Sequence, residues 1–102
     1  MEPSQRISRI REAIESGLAA THVEVIDHSA EHAGHPGAEA GGGHFEVLVV
    51  SEQFEGQSRL AAQRLVYQAL GPLMSSDIHA LSMHTLTPEQ WHARGEQPAR
   101  RQ

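Results

Sequence analysis

The sequence predicts an α+β domain with the order α-β-β-α-β-α, a three-stranded mixed sheet and its long helices packed on one face. Three observations carry that expectation. Two stretches repeat apolar residues at spacings of three and four, as amphipathic helices do. Three shorter stretches are rich in valine, isoleucine and other apolar residues, and alternate or run nearly continuously apolar, as strands do. Breaks holding glycine, proline or small polar residues separate them. A chain of 102 residues fits one domain that can bury a core by itself.

The first helix is expected over residues 4–18. Ser4 can cap it, and Ile7, Ile10, Ile14 and Leu18 form one apolar stripe. Arg6, Arg9, Arg11, Glu12 and Glu15 take the wet side, and Gly17, Ala19 and Ala20 fade out of the pattern. Residues 21–27 alternate, with Val23 and Val25 on one face and His22, Glu24 and Ile26 on the other. Residues 28–43 form a loop with Gly34, Pro36, Gly37 and the run Gly41-Gly42-Gly43. A hairpin connection of that length is usually functional or disordered. Residues 44–51 make the clearest strand. Phe45, Val47 and Val49 share a face, while Leu48 and Val50 make the run almost continuous, which suits a central position.

Phe54-Glu55-Gly56 reads as a turn, with the glycine free in φ. A second helix is expected over 58–70, its apolar side made by Ala61, Leu65, Val66, Ala69 and Leu70 and flanked by Ala62 and Leu73, with Gly71-Pro72 as the stop. The third strand spans 78–85. Thr87, Pro88 and Gln90 then spell a capping box with proline at the first helical position, and Trp91 falls on the inner turn of a short last helix. The domain is expected to cover 4–94 and to leave a disordered polar tail over 95–102. The two early strands are expected to form an antiparallel hairpin. A helical crossover makes the third parallel to the second.

Composition excludes several classes of function. With no cysteine, disulfides, thiolate catalysis and a self-contained sulfur-ligated metal site are out. No apolar run reaches the roughly 18 residues of a membrane span, and the first residues lack the apolar stretch of a signal peptide. A soluble, cytoplasmic chain, monomeric by itself, is expected. The formal charge is −5, and phosphate-backbone affinity comes mostly from lysine and arginine. Arg59 and Arg64 on the second helix are the candidate nucleic-acid contacts, and they are few.

The 8 histidines are the unusual feature. They are candidate ligands for several transition metals. His28, His32 and His35 cluster in the long loop, where a solvated segment would also tolerate histidine freely. His79 opens the third strand and is either a core histidine bonded to backbone or a ligand. His44 and His84 are either cross-strand partners or ligands, and His22 and His92 look merely exposed. No nucleophile elbow or phosphate-cradling glycine loop is present: Gly41-Gly42-Gly43 precedes a strand, not a helix. Catalysis is not expected.

Phe54-Glu55-Gly56, the strand His44-Phe45-Glu46-Val47-Leu48-Val49-Val50-Ser51, Arg64-Leu65-Val66-Tyr67 and above all Ile78-His79-Ala80-Leu81-Ser82-Met83-His84-Thr85-Leu86-Thr87-Pro88-Glu89-Gln90-Trp91 resemble the BolA family. The resemblance covers residues 7–91. It implies the BolA fold, which is similar to the second class of KH domains, and a monothiol glutaredoxin as partner. It further implies a two-iron, two-sulfur cluster (2Fe-2S) shared with the glutaredoxin cysteine and glutathione, none being held by the isolated chain. By position, the family's invariant histidine is His79. The loop ligand is His32, with His35 and His44 as the alternatives. The resemblance also implies a partner surface at Phe54, Gly56 and Arg64. Family members carry a basic Gln-Arg-His-Arg run on the second long helix, where this chain has Ala61-Ala62-Gln63-Arg64.

Three functions follow as expectations. One is a non-enzymatic adaptor in iron–sulfur cluster trafficking. Another is a DNA-binding transcriptional regulator of stress response or morphology, which the thin basic surface disfavours. The third is a plain metal-binding module built on His28, His32 and His35.

Overall fold

The computed structural model describes residues 3–28, 43–76 and 78–95, with Pro3, Ser4 and His79 described by their backbone alone. The order is α1 (Pro3–Leu18), β1 (His22–Asp27), β2 (Gly43–Val50), a 3-10 turn (Glu52–Phe54), α2 (Arg59–Leu70), α3 (Leu73–Ser76), β3 (Ile78–Leu86) and α4 (Pro88–Ala93). The expected loop over 29–42 and the expected tail from 96 onward lie outside the described residues.

β2 is the central strand, antiparallel to β1 and parallel to β3. One sheet face presents Val23, Phe45, Val47 and Val49 to Ile10, Ile14 and Leu18 of α1 and Ala62, Val66 and Leu70 of α2. These apolar groups leave water together, and each large side chain so buried contributes roughly 1.5–3 kcal/mol. On α1 the stripe read from spacing is the stripe that packs; on α2 Ala62, Val66 and Leu70 are buried, Leu65 and Ala69 are partly so, and Ala61, expected on the apolar side, is not part of the cluster. Leu48 and Val50 are also fully buried but stand apart from that cluster. His22, which pairs in register with Val50, stacks on Trp91 of α4 with ring centroids 4.6 Å apart. The last helix thus folds back across the second face at the C-terminal end of β2, while the two long helices share the first.

The helix ends follow local chemistry. Ser58 caps α2 by accepting from the Ala61 amide at 3.0 Å, and Thr87 and Gln90 form the expected capping box on α4. Gly71 stops α2 at φ +52°. α1 stops differently. Ala19 takes a left-handed φ of +47°, and the buried Ser51 hydroxyl donates to the Leu18 carbonyl at 2.7 Å. α3 was not expected. Four residues are too few to show a period, and its two serine hydroxyls donate back to the Pro72 carbonyl at 3.2 Å. The turn expected at 54–56 begins earlier, as the 3-10 turn, and closes at Gly56 with φ +75°. Gly17 lies in the last turn of α1, inside the expected 4–18, and a Cβ there would stand 2.8 Å from that of Ala69.

Candidate functional site

The N-terminal ends of β2 and β3 lie side by side because the two strands are parallel. β1 finishes at the same end of the sheet, where the His28 amide donates to the His44 carbonyl at 2.8 Å. Both ends of the long β1–β2 connection therefore sit at the end of the sheet where β3 starts, the β2 end directly beside it and the β1 end one strand further across. The register there is uneven. Gly43 pairs with Ile78 and His44 with Ala80, so His79 is the extra residue of a β-bulge. Bulges bend a strand and re-aim a side chain, and they are frequent next to functional sites. The backbones of His28, His44 and His79 thus meet at one end of the sheet, although the first and last are far apart along the chain.

The imidazoles of His28 and His44 face each other with centroids 5.8 Å apart and ring planes tilted by 57°. His28 Nε2 lies 2.8 Å from Glu46 Oε1, and His84 Nε2 lies 2.9 Å from Glu46 Oε2. An ionised carboxylate only accepts hydrogen bonds, so both Nε2 atoms donate, and a neutral ring then keeps its lone pair on Nδ1. Glu46 spans the sheet's second face in this way, tying the end of β1 to β3. The hydrogen bond from His28 holds its carboxyl below the usual 4.5; burial opposes this, and the bond from His84 and the charge of both rings add to it. Among the described residues no group of three or more histidine, aspartate or glutamate side chains is arranged to hold a metal ion.

The expected site residues divide accordingly. His79 stands at the bulge. His44 lies beside it in register, half-buried, against His28. His32 and His35 lie outside the described residues. His84 is a cross-strand partner of Glu46. His22 is not merely exposed: besides stacking on Trp91 it bonds Glu24 at 2.7 Å. Phe54, expected at a partner surface, is 4% exposed and belongs to the core, because the 3-10 turn folds its ring inward. Gly56 is exposed and held in the left-handed region. Arg59 and Arg64 are both exposed on α2.

Sequence reasoning missed two residues next to Arg64. Among the described residues Leu60 and Tyr67 are the large exposed hydrophobic side chains, at 58% and 43%. With Arg64 they recur at spacings of four and three, which places them on one outward helix face. The available signal was that Leu60 fits no part of the inward stripe.

Comparison with known proteins follows the same outline. The family described as BolA-like protein matches residues 14–90. The chain is 35% identical over 83 residues to the DNA-binding transcriptional regulator BolA of Escherichia coli, covering 81% of this chain and 76% of that protein. It is 42% identical over 82 residues to BolA-like protein 1 of Homo sapiens, covering 80% of this chain but only 58% of that longer protein. Among solved structures, the BolA domain of SufE1 from Arabidopsis thaliana superposes with a TM-score of 0.71 at 39% identity, over 82% of this chain and 93% of that one.

Proposed function

The chain belongs to the BolA-like family, and from that premise we propose that it is a non-enzymatic adaptor that shares a 2Fe-2S cluster with a monothiol glutaredoxin and passes it on. The observation that carries this reading is the uneven register at the start of β3, which sets the His79 backbone on a bulge at the same end of the sheet as both ends of the β1–β2 connection. A chain with no cysteine offers imidazole and no thiolate, so the partner's cysteine and glutathione must supply the sulfur. His79 is the ligand on the strand. His32 is the ligand from the connection, with His35 or the neighbouring His44 in its place if His32 does not reach. Imidazole ligation raises the potential of such a cluster relative to all-thiolate ligation. It also requires the neutral ring, which makes retention of the cluster sensitive to acid. Glu46 serves the site indirectly, by holding His28 next to His44. A reducing, cytoplasmic setting suits this chemistry.

The test is reconstitution with a monothiol glutaredoxin, glutathione, iron and sulfide, followed by the visible absorption and circular dichroism of the mixed complex. His79→Ala is expected to return the spectrum to that of the glutaredoxin alone. An unchanged mixed-complex spectrum in H79A removes the assignment. Parallel alanine variants at 32, 35 and 44 identify the second ligand.

A second reading rests on the name of the Escherichia coli relative, a DNA-binding transcriptional regulator. Arg59 and Arg64 would then contact phosphates. That reading requires duplex binding whose affinity falls with salt as several phosphate contacts demand. The net charge of −5 makes the adaptor the better-supported of the two.

A further inference from the structure

β3 is an edge strand: β2 hydrogen-bonds one side of it and no described strand takes the other. Which of its groups point outward follows from one contact. The Leu86 carbonyl accepts from the Ser51 amide at 3.0 Å, so Leu86 turns its backbone toward β2. Backbone direction alternates along a strand. The amides and carbonyls of Met83 and Thr85 therefore point away from the sheet. They open onto a groove of about 350 Å³ whose floor includes residues 83–86 in succession. Phe54, Ala62 and the start of α2 form one wall, and α4 forms the other through Gln90 and Arg94.

The charge of this groove is opposite to that of the chain. Aspartate and glutamate outnumber lysine and arginine by 13 to 8 overall, yet the lining holds Arg59 and Arg94 and no carboxylate. Neither guanidinium has an ion pair among the described residues. They flank the edge from opposite walls.

We propose that this groove docks an extended acidic segment of a partner protein, which adds to β3 as a fourth strand while Arg59 and Arg94 bind its carboxylates. Strand addition to an open edge takes its affinity from main-chain hydrogen bonds and its selectivity from alternate side chains. Here the outward groups of Met83 and Thr85 supply the bonds and the two arginines select for acid. Thr85 lies six residues along β3 from His79, about 20 Å in a strand. The groove is thus at the far end of the sheet from the bulge, and the proposal does not depend on the cluster reading.

The probe is an eight-residue peptide in which Glu-Glu pairs alternate with Val-Val pairs, so that an added strand carries carboxylates on both faces; it is titrated into the full chain at low salt and followed by amide chemical shifts and hydrogen exchange. The Met83 and Thr85 amides are expected to shift and gain protection. Arg59→Glu with Arg94→Glu is expected to weaken binding by about tenfold. Two N-methylated versions of the peptide test the ladder without altering the protein. Methylation of the amides facing β3 should abolish binding, and methylation of the alternate set should spare it. The proposal is overturned if Met83 and Thr85 stay unmoved at millimolar peptide, if the two methylated peptides behave alike, or if charge reversal changes nothing. It is also overturned if a single-stranded oligonucleotide of equal charge displaces the peptide at lower concentration, since the site would then read phosphate.

Discussion

The Ser51 hydroxyl donates to the Leu18 carbonyl at 2.7 Å and accepts from the Gln53 amide at 3.1 Å, fully buried between them. One side chain thus satisfies the last turn of α1 and the Gln53 amide of the 3-10 turn, two groups that helix ends leave without a backbone partner. Ser51→Ala is expected to destabilise the fold by about 1–3 kcal/mol, the cost of leaving such groups buried and unbonded. Urea unfolding measures it, and a loss below about 0.5 kcal/mol would mean that another donor or water takes the hydroxyl's place. Nothing in the local sequence announced this role. Ser51 closes a strand as many serines do, and its partner at Leu18 arrives through tertiary packing. His22 teaches the same lesson. As one polar residue on an alternating strand it looked merely exposed, and only the return of α4 sets Trp91 against its ring.

The contact between α1 and α2 turns on Gly17. By propensity alone Gly17→Ala should strengthen a helix by about 1 kcal/mol. In this helix the new methyl would stand 2.8 Å from Ala69 Cβ and 3.2 Å from its Cα, with no flexible side-chain end to yield. The clash outweighs propensity, and a net loss of roughly 1–2 kcal/mol is expected. Ala69→Gly should recover the steric part, so the double-mutant cycle should show favourable coupling in denaturant unfolding. Additive effects would mean that the helices simply move apart. The apolar stripes of both helices were legible because spacing alone defines them. The meaning of Gly17 was not: a glycine near a helix end reads as a stop, and the same residue inside a helix is a place where a neighbour comes close. α4, in contrast, was legible to the residue, since its cap is a local motif of Thr87 and Gln90.

Across the whole sheet, Glu46 joins the end of β1 to β3 and makes stability depend on pH. Its carboxyl titrates below the usual 4.5 when folded, first because of the His28 hydrogen bond. The unfolded chain therefore binds the proton more readily, and this contribution is fully present above the ordinary glutamate range. It is lost as pH falls through the lowered folded value. Glu46→Gln is expected to be less stable than the parent at neutral pH, with the difference shrinking to nothing in acid. Thermal unfolding across pH measures this, and parallel acid limbs for the two proteins would remove Glu46 as the cause. The sequence by itself determined the order of elements, the inward stripes, the terminal cap and the family, because each rests on neighbours within one or two turns of chain or on a contiguous motif. It also marked His79 as the residue to watch. Only the tertiary structure decided that β3 carries its bulge at that residue, that His28, His44, Glu46 and His84 form one connected group, and that Arg59 and Arg94 line one groove along the β3 edge. Those relations depend on register and on how distant elements close against each other. Both are set by packing over the whole domain, and no local pattern encodes them.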